Sequence, residues 1–149
     1  MADSKDPSLP SPLNPAVLRG LGDRSYDKRK AAATEVSKVT KDLYEDKSKS
    51  SLIPLVISTL TKDFVESKNV NHRKGGLIGL AACAIGLSAD LDRYLSVIVI
   101  PILRSFDDGE ARVCYYACES LYNVAKMARG GILKHFNQIF DGLCKVNLL

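Results

Sequence analysis

The chain has 149 residues, 46% of them apolar and 26% charged, the proportions of a single globular domain, which excludes wholesale disorder. Its 21 Lys and Arg against 17 Asp and Glu leave a formal net charge of +4. That is too mild for a dedicated nucleic-acid binder, which carries a denser basic stripe, and it is compatible with weak attraction to an anionic membrane surface.

Residues 1–13 are rich in Ser, Pro and Asp and are expected to form a disordered leader. Asp3 and Asp6 stand where a secretory signal would be basic, so the chain reads as cytosolic, or peripheral on a cytosolic membrane face. Asn14-Pro15 reads as an N-cap and first helical residue, opening a short helix Pro15–Leu21 that Gly22 ends. Asp23 or Ser25 then caps a longer helix to about Tyr44. After a polar break at 47–51, a helix over about Leu52–Glu66 is bent or begun by Pro54. Asn71 is placed to cap a helix His72–Leu87. The run Leu77–Leu87 is the longest apolar stretch, far short of the about 20 residues that cross a bilayer. The next helix begins at Leu91 or Tyr94, ends near Phe106 and contains Pro101; its Val97-Ile98-Val99-Ile100 run would equally suit a buried strand on local propensity. Asp107-Asp108-Gly109 is a turn, Glu110–Arg129 is the clearest helix, Gly130-Gly131 breaks it, and Ile132–Lys145 is a last amphipathic segment.

These helices repeat. Placing Arg29, Arg73 and Cys114 in register, at spacings of 44 and 41, also aligns Ala32, Gly76 and Ala117, then Val36, Leu80 and Leu121, then Val39, Cys83 and Val124. Pro54 and Pro101, 47 apart, align the preceding helices. A helix–turn–helix unit of about 40–47 residues is the HEAT/armadillo period. The expected fold is all-α, a right-handed superhelical HEAT/armadillo-like solenoid over residues 14–149. Its units cover about 14–45, 50–88 and 91–129, with a half unit at 131–145. Because apolar Val146-Asn147-Leu148-Leu149 follows with no polar cap, the chain is expected to be a truncated piece of a longer protein. Cys114 stands where such units usually carry an arginine, and Arg112 is the nearest replacement.

Nothing in this pattern is catalytic. Gly75-Gly76-Leu77-Ile78-Gly79 lacks the lysine of a phosphate loop, and the two histidines, His72 and His135, fall on different helices. Cys83, Cys114, Cys118 and Cys144 read as reduced thiols, since a zinc site needs two ligands beyond the Cys114/Cys118 pair. Neither metal nor cofactor is expected. Gly75, Gly76 and Gly79 mark either close helix approach or a groove that admits a partner helix. The basic set Lys28, Arg29, Lys30, Arg73, Lys74 and Arg112 lies at the starts of successive second helices. It is either a ladder with the turn acids Asp63, Asp107 and Asp108 or a patch facing acidic lipid or an acidic protein segment. Tyr115 and Tyr122 share a helix face and Tyr116 points roughly 100° away, so at least one is expected at the surface as an interface anchor.

Four stretches are more specific than a generic repeat: 25–32 (SYDKRKAA), 71–83 (NHRKGGLIGLAAC), 115–126 (YYACESLYNVAK) and 136–145 (FNQIFDGLCK). On these the chain resembles the N-terminal region of the vacuole-morphology HEAT-repeat scaffold family, also called ArPIKfyve, over about residues 14–145. The resemblance implies a non-catalytic scaffold that organises synthesis and turnover of phosphatidylinositol 3,5-bisphosphate on endosomal and vacuolar membranes. It implies a PIKfyve-type lipid 5-kinase as partner, bound through about residues 65–145. A Sac-domain phosphoinositide phosphatase would be met mainly through a C-terminal region that this chain lacks. From the residue pattern, the expected partner-binding residues are Arg73, Lys74, Gly75, Gly76, Tyr115, Tyr116 and Tyr122, with Lys28, Arg29, Lys30 and Arg112 as a basic edge. The competing expectation is a generic HEAT-repeat adaptor, or a truncated product that assembles no complex. An armadillo-type cargo adaptor would need surface tryptophans, and the chain has no Trp.

Overall fold

The computed structural model describes residues 11–145. The described residues are helical throughout, with no strand. We number the α-helices α1 (Pro15–Leu21), α2 (Tyr26–Glu45), α3 (Ile53–Thr59), α4 (Val70–Leu87), α5 (Leu91–Arg104), α6 (Ala111–Ala128) and α7 (Phe136–Lys145). α3 runs directly into a wider π-helical turn, Leu60–Val65, and short 3-10 turns precede α3, α5 and α7 and follow α5. Consecutive helices pair as α1/α2 and α5/α6, and in the second unit the π turn that continues α3 packs on α4. The second helices α2, α4 and α6 pack side by side in one row, and α7 lies against α5. This is a HEAT-like stack.

The register is written in the turns. Arg29 donates to the Asp23 carbonyl at 2.8 Å, Arg73 to the Ser67 carbonyl at 3.2 Å, and Cys114 to the Asp108 carbonyl at 3.3 Å, each six residues back. The side chains of Asp23, Ser67 and Asp108 in turn accept from the backbone N–H two residues on, at Ser25, Asn69 and Glu110. Each turn so fixes the entry angle of its second helix. The spacings are again 44 and 41. By that measure Pro54 and Pro101 are not equivalent. Pro54 sits in the first turn of α3, thirteen residues before Ser67, whereas Pro101 lies inside α5, seven before Asp108. The residue that occupies the place of Pro101 in the second unit is Leu60, where the π turn begins.

Two boundaries differ from the sequence reading, and the choice between Asp23 and Ser25 as the cap of α2 is resolved. Asn69, not Asn71, caps α4, its side-chain Oδ1 accepting from the backbone N–H groups of Asn71 and His72. Ser25 is the N-cap of α2 but leaves the side-chain hydrogen bond of that turn to Asp23. Leu13, assigned to the leader, is only 2% exposed within the core; residues 1–10 of that leader lie outside the described residues. The Val97–Ile100 run is helical because its two sides face different surroundings. Ile98 and Val99 are fully buried and Val97 and Ile100 look outward, and such packing overrides local β preference.

α4 is the spine. It is apolar nearly all round because α2 and α6 flank it on both sides. Ser120 on α6 donates to the Leu77 carbonyl at 3.0 Å, and Thr40 on α2 meets Cys83 Sγ at 3.5 Å. Burial pushes the Cys83 thiol up to about 12, so at neutral pH it stays protonated and unreactive. Iodoacetamide is therefore expected to alkylate the exposed Cys144 in the native protein and Cys83 only after unfolding, as read by peptide mass spectrometry; native labelling of Cys83 would contradict this packing. At the far end α7 exposes Phe136, Phe140 and Leu143, the two rings stacked at 6.3 Å.

Candidate functional site

A groove runs along the row of second helices. α4 supplies its floor through Ile78, Ala81, Ala82 and Ile85. α2 and α6 supply the walls, with Tyr26, Lys30 and Thr34 facing Tyr116, Glu119 and Asn123. The groove is open on one side and has a volume of about 330 Å³. Its floor is apolar because small alanines on α4 leave space between the flanking helices, and Ile85, at 48% exposure, reaches it from the same helix.

Tyr116 stands at the head of the groove. Its hydroxyl accepts from Arg29 Nη2 at 2.7 Å, across two units of the stack. Its ring meets Tyr26 edge-on at 6.5 Å, and the Lys74 ammonium lies 5.8 Å from its centroid. Arg29 is 3% exposed and Lys74 8%. Among the described residues neither forms an ion pair, and Arg29 Nε has no acceptor. Burial, then repulsion from Arg29 and Arg112, holds the Lys74 ammonium below its usual pKa, against a smaller upward pull from Glu110.

The structure thus divides the expected basic edge. Arg73 turns away from Tyr116, roughly 100° round the helix from Lys74. Its Nη2 donates to Asp108 Oδ1 at 3.1 Å, while Nε approaches Oδ2 at 2.8 Å off the hydrogen-bonding axis. This is the one rung of the expected ladder that forms among the described residues; Lys28 pairs within its own unit with Asp23, and Asp107 pairs with Lys145. Lys30 lies 6.0 Å from the Tyr26 ring. Arg112 is exposed and makes no described ion pair, so it does not replace the arginine missing at Cys114.

Gly75 and Gly76 are buried packing points. A Cβ on Gly75 would sit 1.8 Å from the Leu21 carbonyl oxygen, and one on Gly76 would sit 2.7 Å from the Val65 backbone nitrogen. Tyr115 and Tyr122 are 63% and 66% exposed, beside the α6 wall rather than in the groove. Sequence reasoning missed Tyr26, Thr34 and Ile85. Tyr26 carried a signal, being an aromatic residue at the first position of a helix whose next four residues include three basic ones. A second apolar groove lies on the opposite row between α3 and α5, lined by Pro54, Ile57, Val97 and Ile100.

Residues 71–148 match the model of a family described as the vacuolar 14 Fab1-binding region, a little over half of the chain, beginning in α4 and running through α7. The chain is 49% identical over 137 residues to the Protein VAC14 homolog of Arabidopsis thaliana, covering 92% of this chain and 18% of that protein. It is 46% identical over 132 residues to the Protein VAC14 homolog of Schizosaccharomyces pombe, covering 87% and 16%. It is 43% identical over 137 residues to the Vacuole morphology and inheritance protein 14 of Saccharomyces cerevisiae, covering 91% and 16%. The chain therefore spans less than a fifth of the length of these curated relatives. No solved structure matches it.

Proposed function

The chain belongs to the vacuolar 14 family, and from that membership we propose that it is the kinase-facing part of a longer helical-repeat scaffold. In this reading it does no chemistry of its own and holds a Fab1-type, or PIKfyve-type, lipid kinase. The observation that carries it is positional: the stretch matching the Fab1-binding region supplies both the floor and the α6 wall of the groove. A groove with an apolar floor, a cationic head and exposed tyrosines beside it has the make-up of a protein-docking surface. Among the described residues no His, Cys, Asp and Glu cluster is arranged to hold a metal ion.

The scaffold so formed regulates the making and turnover of phosphatidylinositol 3,5-bisphosphate on vacuolar and endosomal membranes. A Sac-domain phosphatase joins through parts of the family outside this stretch. Attachment is peripheral in this reading, and no described helix is long and apolar enough to cross a membrane. The bare face of α7, with Phe136, Phe140 and Leu143, is where a further helix pair would continue the stack in the longer relatives.

Affinity purification of the tagged chain at native expression, with partners identified by mass spectrometry, tests the reading. Enrichment of the Fab1-type kinase over an untagged control is the expected result. Recovery of chaperones alone would contradict it.

A further inference from the structure

Resting on that reading and giving it a chemistry, we propose that the groove takes an acidic segment of a protein partner. One carboxylate seats at Lys74 beside Tyr116, and a neighbouring apolar side chain lodges over Ala81 and Ala82.

Two cations crowd one aromatic ring, Arg29 enclosed and Lys74 with a buried stem and an open Nζ, and neither has a described ion-pair partner. Burying a charge without a counter-charge is costly, and a fold that needed only packing here would be served by neutral side chains. An arriving carboxylate supplies the missing partner. The two cations are not equally open. Arg29 Nε is fully enclosed, whereas Lys74 Nζ is not among the enclosed unpaired atoms, so Lys74 is the atom that receives the ligand. Arg29 is tied at both ends, to the Asp23 carbonyl and the Tyr116 hydroxyl, and so holds the ring in place before binding.

The apolar cavity adjoins this charge, with Tyr116 between them. A flat anionic membrane can neutralise a basic rim but cannot follow a recessed apolar floor, which favours a peptide. Glu110 near Lys74 and Glu119 on the α6 wall repel a second acid. The fitting segment therefore has a single carboxylate flanked by apolar residues rather than a run of acids.

The test probes an array of overlapping peptides that tile the Fab1-type kinase with the whole chain and with three variants: Lys74→Met, which keeps the aliphatic stem; Thr34→Trp, which fills the groove from an exposed position; and Val97→Glu on the opposite row. Capture of acid-plus-apolar peptides is expected. It should weaken roughly tenfold or more with Lys74→Met, with Thr34→Trp, or when the peptide's Glu or Asp becomes Gln or Asn, and stay unchanged with Val97→Glu. Lys74→Met should leave the thermal midpoint close to that of wild type, since methionine keeps the buried stem and the Nζ it removes is not enclosed; a purely structural lysine would lower it. Binding that ignores Lys74→Met overturns the inference. So does Lys74-dependent binding to phosphoinositide vesicles with no peptide captured. If the kinase co-purifies equally well with the Lys74→Met chain, the groove chemistry fails and the kinase-binding function stands. If the kinase does not co-purify with the wild-type chain, that function fails.

Discussion

Gly75→Ala is expected to destabilise the protein by about 3 kcal/mol, the upper end of ordinary overpacking costs. At most helical positions the same change would gain about 1 kcal/mol from helix propensity. Here the added Cβ would lie 1.8 Å from the Leu21 carbonyl oxygen and 2.7 Å from its carbonyl carbon. That obstacle is backbone at the end of α1, so no rotamer change relieves it and α1 must move off α4. Leu21 is itself fully buried, so the displacement opens the first unit's core. Gly109→Ala is the matched control, because a Cβ there meets nothing within 4 Å. Urea denaturation checks both. A Gly75→Ala protein within about 0.5 kcal/mol of wild type would show that α1 does not cross α4 at this point.

Arg73→Met carries the second large effect, a loss of about 2–3 kcal/mol. The Arg73–Asp108 pair is the one described ion pair withdrawn from water, its side chains 18% and 12% exposed, against 31–70% for the others. Removing Arg73 strips the carbonyls of Ser67 and Lys68 of a donor and leaves the Asp108 carboxylate without its cation between two units. Asp108→Asn should cost less, about 1 kcal/mol, because an amide oxygen still accepts from the Glu110 N–H. Arg73→Lys should not rescue, since an ammonium cannot span two carbonyls and a carboxylate at once. Equal stability of Arg73→Met and wild type in urea would remove this contact from the account.

The stack was legible in the sequence because it depends on local recurrences. Residues 29, 73 and 114 align by spacing, and each reaches a carbonyl six residues back in its own turn. The small residues Ala32 and Gly76 mark where a second helix meets the first helix of its own unit. What depends on contacts between units was not legible. Arg73 and Lys74 are neighbours in sequence and read as one basic edge, yet they serve faces of α4 about 100° apart. Tyr116 acquires its role only through Arg29, 87 residues away, and no periodicity encodes that distance. The equivalence of Pro54 and Pro101 rested on a shared residue type, and the π turn at Leu60–Val65 has no sequence signature that would have shifted it. Asn69 and Asn71 are equally good caps by type; the turn set by Ser67 decides between them.

In this proposal the kinase docks on the row of second helices. Hydrogen–deuterium exchange of the full-length family protein, alone and in complex with the Fab1-type kinase, measures it directly. Slowed exchange is expected in peptides from α2, α4 and α6, strongest around Tyr26–Thr34 and Tyr116–Asn123 and absent from α3 and α5. Protection confined to α3 and α5, or none anywhere in residues 11–145, would contradict it.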